Sequence, residues 1–245
     1  GEIIMALPRI DAPEYELEIY NGDIIKFRPF LVKEQKILLL AMEEAGNSNL
    51  MNAIKKIINN CTFDKLDMDT LPLFEIENIF LRLREKSVGE SIDFRVKCLE
   101  EGCEGLTNIQ LNLTDVKYDA SKLVDSKIKI NDDITIHMQY PTIKTLSNVD
   151  VAKVDGNFNF LQNCIESIES DGNIIDAKTT PKEELKEFIE SMTAEQFDKI
   201  RTYLEAMPKI STTLDYVCST CGKEQTREIS GLQNFLAFHK INSHL

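Results

Sequence analysis

Cys98 with Cys103 and Cys218 with Cys221 form two short pairs far apart in the chain, and this spacing constrains the fold more than any other feature. A tetrahedral zinc ion takes four thiolates, and a close pair on a tight turn supplies two of them. Cys218-Ser219-Thr220-Cys221-Gly222 fits a zinc knuckle, with two intervening residues and a following glycine that tolerates positive φ. Cys98-Leu99-Glu100-Glu101-Gly102-Cys103 has a longer loop that still places two sulfurs on one turn. The expectation is one structural Zn2+ held by Cys98, Cys103, Cys218 and Cys221, with no open coordination position for catalysis. Such a site joins segments separated by residues 104 to 217, so cutting the chain between them is expected to unfold both.

The length of 245 residues permits one large domain or two small ones, and 42% hydrophobic content suffices for a core. A net charge of −13 opposes binding to nucleic acid or an anionic membrane, either of which needs a basic face. Six cysteines are too few for a disulfide scaffold of this length, and their pairing suits a reducing, intracellular compartment. No apolar stretch approaches the roughly 20 residues of a membrane span. Gly1 to Ile10 lacks the basic start and apolar run of a signal peptide.

The chain opens on a hairpin: Tyr15, Leu17 and Ile19 alternate with Glu14, Glu16 and Glu18, and Asn21-Gly22 reads as a two-residue turn before Ile25 and Phe27. Helical spacing follows in Ile37, Leu38, Ala41 and Met42, then in Met51, Ile54, Ile57 and Ile58, then beyond Leu71-Pro72 in Ile76, Ile79, Phe80 and Leu83. Ile92, Phe94 and Val96 alternate into Cys98, and Ile109, Leu111 and Leu113 alternate out beyond Cys103, which puts the first pair at a strand tip. Short strands are expected at 128–130 and 134–138. Helices return from about Thr142, with Phe160, Cys164, Ile165 and Ile168 on one helical face and a turn at Asp171-Gly172-Asn173. Thr180-Pro181-Lys182-Glu183 and Thr193-Ala194-Glu195-Gln196 read as helix starts, the first as a capping box with proline at the first helical position. Leu214 and Tyr216 lead to the second cysteine pair, Gln225 to Ile229 return from it, and Ser230 caps a last helix carrying Leu232, Phe235, Leu236 and His239. The fold class is α+β: a central antiparallel β region with the four-cysteine zinc site, flanked by two helical clusters. The divisions fall at 1–31, 32–90, 91–141, 142–208 and 209–245, within one cooperative unit.

Competing readings are weaker. A two-cysteine, two-histidine site from Cys218, Cys221, His239 and His244 has a gap, residues 222 to 238, longer than the roughly 12 to 15 residues of such fingers, and it strands Cys98 and Cys103. Cys61 and Cys164 sit alone on apolar patterns and read as core. His137 reads as a structural strand histidine. Asp64, Asp67 and Asp69 lack the glycine and distal glutamate of a calcium loop and read as a solvated turn. Arg82, Arg84 and Lys86 read as a solvated helix face salted with glutamates. There is no phosphate-binding glycine loop, nucleophile elbow or zinc-binding histidine pair on a helix, and the expectation is that the protein is not an enzyme.

Several stretches in order carry a family likeness: Ala6-Leu7-Pro8, Phe27-Arg28-Pro29-Phe30-Leu31-Val32-Lys33-Glu34, Arg84-Glu85-Lys86-Ser87-Val88-Gly89-Glu90, Met207-Pro208-Lys209-Ile210 and Gly231-Leu232-Gln233-Asn234-Phe235. With them the chain resembles the baseplate proteins of T4-like contractile-tailed bacteriophages. The resemblance implies a tail baseplate hub subunit or hub assembly factor, made in the host cytoplasm and acting on other phage baseplate hub proteins, and the acidic charge adds the expectation of no nucleic acid partner. The partner surface is expected on the N-terminal hairpin and C-terminal helix, through Phe27, Phe30, Phe235 and Phe238. A zinc-ribbon module of phage transcription or replication is the alternative, and it requires a basic face where Glu100, Glu101 and Glu104 stand.

Overall fold

A computed structural model describes residues 10–43, 47–120, 123, 125–146 and 154–235. Strands β1 (Tyr15–Glu18) and β2 (Ile24–Phe27) pair antiparallel, with Phe27 and Ile25 buried on one side. The loop between them is one residue longer than the expected Asn21-Gly22 turn: Gly22 N–H donates to Ile19 O and Ile19 N–H to Asp23 O, with Gly22 at φ 85°. Tyr20 explains the extra residue. Its N–H donates to the buried carboxylate of Glu75 at 2.8 Å and its ring meets Phe74 edge-on, so the loop is shaped by what lies beneath it.

Helices α1 (Val32–Glu43), α2 (Asn47–Cys61) and α3 (Leu73–Val88) follow as the spacing predicts. Ile76, Ile79, Phe80 and Leu83 of α3 are fully buried against Leu38, Ile54, Ile57, Ile58 and the hairpin. Phe27 and Phe30 belong to this core, so the expected use of these two rings as an exposed partner surface is overturned. The chain reverses beneath them around an ion pair: Arg28 donates to Glu34 at 3.1 Å and to Asn60 O, while Leu31 N–H donates to the same carboxylate. Burial pushes the Glu34 carboxyl up, but Arg28 and the Leu31 amide outweigh it and hold the group below its usual range.

Strands β3 (Ser91–Lys97) and β4 (Leu106–Asn112) form a two-stranded ribbon, followed by a 3-10 turn at Leu113–Asp115. Then come β5 (Lys127–Lys129), β6 (Ile134–Met138), α4 (Ile143–Leu146), α5 (Val154–Asn163), β7 (Ile165–Ser170), β8 (Asn173–Asp176), α6 (Lys182–Glu190) and α7 (Ala194–Ala206). The chain ends its described course with β9 (Ser211–Val217), β10 (Glu224–Ser230) and α8 (Leu232–Phe235). The β region is therefore not one sheet. Among the described residues it comprises three two-stranded ribbons, β1-β2, β3-β4 and β9-β10, and a four-stranded antiparallel sheet in the order β5-β6-β7-β8.

Ile165 and Ile168 lie on a strand, not on the expected helix. The pairing of β6 with β7 shifts register between His137 and Met138, a bulge that turns both isoleucines to the core although they are three apart. Spacing of three in a bulged strand imitates helical periodicity. The stretch after it supplies β8, joined to β7 at the expected turn, in which Asp171 and Gly172 both take positive φ.

The Thr180 capping box is not formed. The Thr180 hydroxyl donates to Asp176 O at 2.8 Å, and α6 starts at Lys182, with Pro181 in the N-cap position and no side-chain cap. Thr193 does make the reciprocal box with Gln196 at the start of α7. Thr193→Ala is accordingly expected to cost about 1 kcal/mol, read as a lowered denaturation midpoint. Thr180→Ala is expected to leave the start of α6 unchanged.

A second core gathers the four-stranded sheet with α5, α6 and α7, around Ile136, Met138, Cys164, Ile165, Ile189 and Ile200. A third gathers Leu81 of α3, Ile92, Leu111, Leu113, Ile210, Leu214, Ile229 and Phe235. α3 thus serves the first core on one side and the third on another. For this reason its Arg82-Arg84-Lys86 run is not the solvated face expected: Arg84 is 2% exposed, and Arg82 pairs with buried Glu85 and donates to Leu113 O and Val116 O. These carbonyls lie in the turn after β4, so Arg82 fastens the first cysteine ribbon to α3. Phe235 is fully buried, and Leu236, Phe238, His239 and His244 lie outside the described residues.

Candidate metal centre

The two ribbons that carry cysteines are built alike. Beyond β3, Cys98 N–H donates to Gly105 O at 2.8 Å, closing a loop that turns at Gly102, φ 79°. Beyond β9, Cys218 N–H donates to Lys223 O at 2.9 Å, closing a loop that turns at Gly222, φ 72°. The loops face each other at the ribbon tips. Ser219 N–H donates to the Thr107 hydroxyl and the Ser219 hydroxyl to Leu106 O, which ties one tip to the other by bonds that do not involve sulfur. Outside the cluster Lys223 pairs with Glu100 across the same junction.

This packing brings the sulfurs of Cys98, Cys103, Cys218 and Cys221 all within 4.8 Å of one another. Cys98 Sγ lies 3.7 Å from Cys221 Sγ, and Cys103 Sγ lies 3.9 Å from Cys218 Sγ. Sulfurs on a tetrahedron of radius about 2.3 Å stand roughly 3.8 Å apart, so the donor set fits a four-thiolate ion such as zinc. Cys98 and Cys218 are buried, Cys103 is half-buried and Cys221 is exposed, which places the cluster at the surface end of both ribbons.

The surrounding groups are arranged to receive negative sulfur. Amide N–H groups of Glu100 and Thr220 point at Cys98 Sγ and Cys218 Sγ. The Gln225 side-chain amide donates to Cys98 Sγ at 2.9 Å, while its oxygen accepts from Leu99 N–H and from the Tyr216 hydroxyl. With both ends of its amide committed, Gln225 can only donate to Cys98, and the sulfur accepts. The Cys221 and Thr220 amides bring Cys218 down to about 6. Cys103 shows the opposing pull: Gly105 N–H lowers it, but Cys98, burial and the remaining two sulfurs together push it up to about 12. Four thiolates this close require a cation to balance their charge.

Gly105 admits the close approach. A Cβ placed there would stand 2.6 Å from Thr220 Oγ1 and 2.8 Å from Cys218 Sγ. Its backbone does not take positive φ, so the requirement is space alone. Sequence reasoning missed both Gly105 and Gln225. Gly105, two residues past Cys103, carried a readable signal, whereas Gln225 is recognisable only once the ribbons are docked.

The other residues singled out from the sequence stand apart from the cluster. Cys61 and Cys164 are buried in the first and second cores, and burial raises each thiol to about 12. His137 lies on β6 with its Nε2 3.3 Å from the Glu169 carboxylate. Asp69 pairs with Lys55 and Lys144, and Asp67 accepts from the Asp69 amide. Cys98 and Cys103 fill the places that a two-histidine site would give to His239 and His244. No helix among the described residues is long and apolar enough to cross a membrane.

Residues 12–237 match the family model described as T4 bacteriophage base plate protein. The chain belongs to this family. The match takes in both cysteine ribbons and the three cores seen among the described residues, so the four-cysteine cluster lies within the matched stretch. No curated protein and no solved structure matches it.

Proposed function

We propose that this base plate protein is a non-enzymatic part of the tail hub, a hub subunit or hub assembly factor, that acts by contact with other phage baseplate hub proteins. The observation that carries the reading is the family match across residues 12–237. The bound ion in this reading is Zn2+, with Cys98, Cys103, Cys218 and Cys221 as its four ligands. Its role is structural, because four protein ligands close the coordination sphere. In either role the protein works in the host cytoplasm during assembly, and as a hub subunit it also stands in the tail baseplate.

The acidic setting supports protein contacts over nucleic acid. Glu100, Glu101 and Glu104 surround the first loop, and Glu100 takes up Lys223, one of the few cations at the second. The test is co-expression of tagged protein with the phage's hub proteins, each present separately and together, with ultraviolet absorbance to detect nucleic acid. Recovery of a stoichiometric complex with a hub protein is expected. Recovery of nucleic acid without hub proteins would favour the transcription or replication alternative.

A further inference from the structure

The four-stranded sheet has two edges, and they are treated differently. Along β5 the bonds Ile130 N–H to Ile134 O and Met138 N–H to Ser126 O show that even-numbered residues bond to β6, so Lys129 directs its carbonyl outward. Lys199 of α7 caps that carbonyl and Ile130 O, each at 3.2 Å, and Lys127 and Lys129 stand on the same edge. Lysines on an edge strand are a usual guard against pairing with another chain.

β8 carries no lysine. Ala177 N–H donates to Glu166 O, so by the alternation of the ladder residues 173 and 175 bond inward to β7 while Ile174 and Asp176 face outward. Thr179 and Thr180 occupy the Asp176 carbonyl, but among the described residues no strand pairs with the outer side of β8. Ile174 is 71% exposed and Ile175 47%. Charge on this hairpin has one sign: residues 165 to 176 include Glu166, Glu169, Asp171 and Asp176 and no lysine or arginine.

We propose that β8 is a docking edge that takes an extended segment of another protein, one bearing alternating apolar and basic side chains, as a fifth strand. Main-chain bonds at Ile174 supply the attachment, Ile174 and Ile175 supply apolar contact, and the carboxylates select for cations. A second copy is disfavoured at both edges. β8 against β8 sets the carboxylates against one another, and β8 against β5 must displace the Lys199 cap. This inference does not rest on the hub reading.

The test is fluorescence anisotropy with a labelled ten-residue peptide alternating valine and lysine. Binding is expected, and the same peptide N-methylated at alternate amides, with charge intact and donors removed, should bind about tenfold more weakly or worse. Ile174→Pro should abolish binding with an unchanged melting temperature, because the Ile174 N–H makes no bond within the sheet. Ile174→Lys, which keeps the backbone amide, should weaken it through charge. Equal binding of the methylated peptide, of a valine-glutamate peptide, or by both variants overturns the proposal. So does growth of the particle mass with concentration in the absence of peptide, which assigns the edge to a second copy.

Discussion

Replacing Cys98 or Cys218 by serine is expected to release the metal and unfold the region around both ribbons. Among the described residues neither β3-β4 nor β9-β10 belongs to a larger sheet, and a lone hairpin is marginal in water. Structural zinc contributes on the order of 10 kcal/mol in small peptides, comparable to the roughly 5 to 15 kcal/mol stability of a whole domain. Losing one of four ligands removes much of that contribution and leaves three thiols crowded at the tips. The third core connects the damage to the rest, since Leu111, Leu214 and Phe235 pack together only while the ribbons stay docked. Chelation of the intact protein should lower its melting temperature in the same way. Cys61→Ala, at a thiol remote from the cluster, should leave the metal content unchanged.

Gly105→Ala is expected to have nearly as large an effect from a single methyl group. The added carbon overlaps Thr220 Oγ1 and Cys218 Sγ, and the Gly105 carbonyl is held in place by Cys98 N–H, so the loop cannot retreat without losing that bond. Sub-contact distances force a ligand off position or separate the ribbons. Metal affinity should therefore fall along with stability, measured by competition with a chromophoric chelator and by thermal denaturation. Thr220→Gly in the Gly105→Ala background removes two of the three overlapping atoms and should restore part of the affinity. Gly22→Ala, at a positive φ with open space around it, should cost stability without touching metal binding.

What was legible in the sequence follows from how local the causes are. The cysteine pairs, the strands leading into them and the faces of α2 and α3 depend on near neighbours, and they stand where spacing puts them. The misreadings have non-local causes. Ile165 and Ile168 share a face because β6 imposes a bulge, and Thr180 leaves its helix because Asp176 offers a carbonyl. Arg82 and Arg84 enter the interior because α3 is enclosed by two cores, which its charges conceal. At the metal centre the ligands were legible and the setting was not: Gln225 meets Cys98 only across the docked ribbons.

The central claim is that four cysteines from two distant ribbons hold a single zinc ion that joins them. Zinc-edge X-ray absorption on protein purified under reducing conditions, with elemental analysis of the same sample, tests it most directly. The account predicts one zinc per chain with four sulfur neighbours at about 2.3 Å. Absence of stoichiometric metal, or a shell of two sulfurs with two nitrogens, would contradict it.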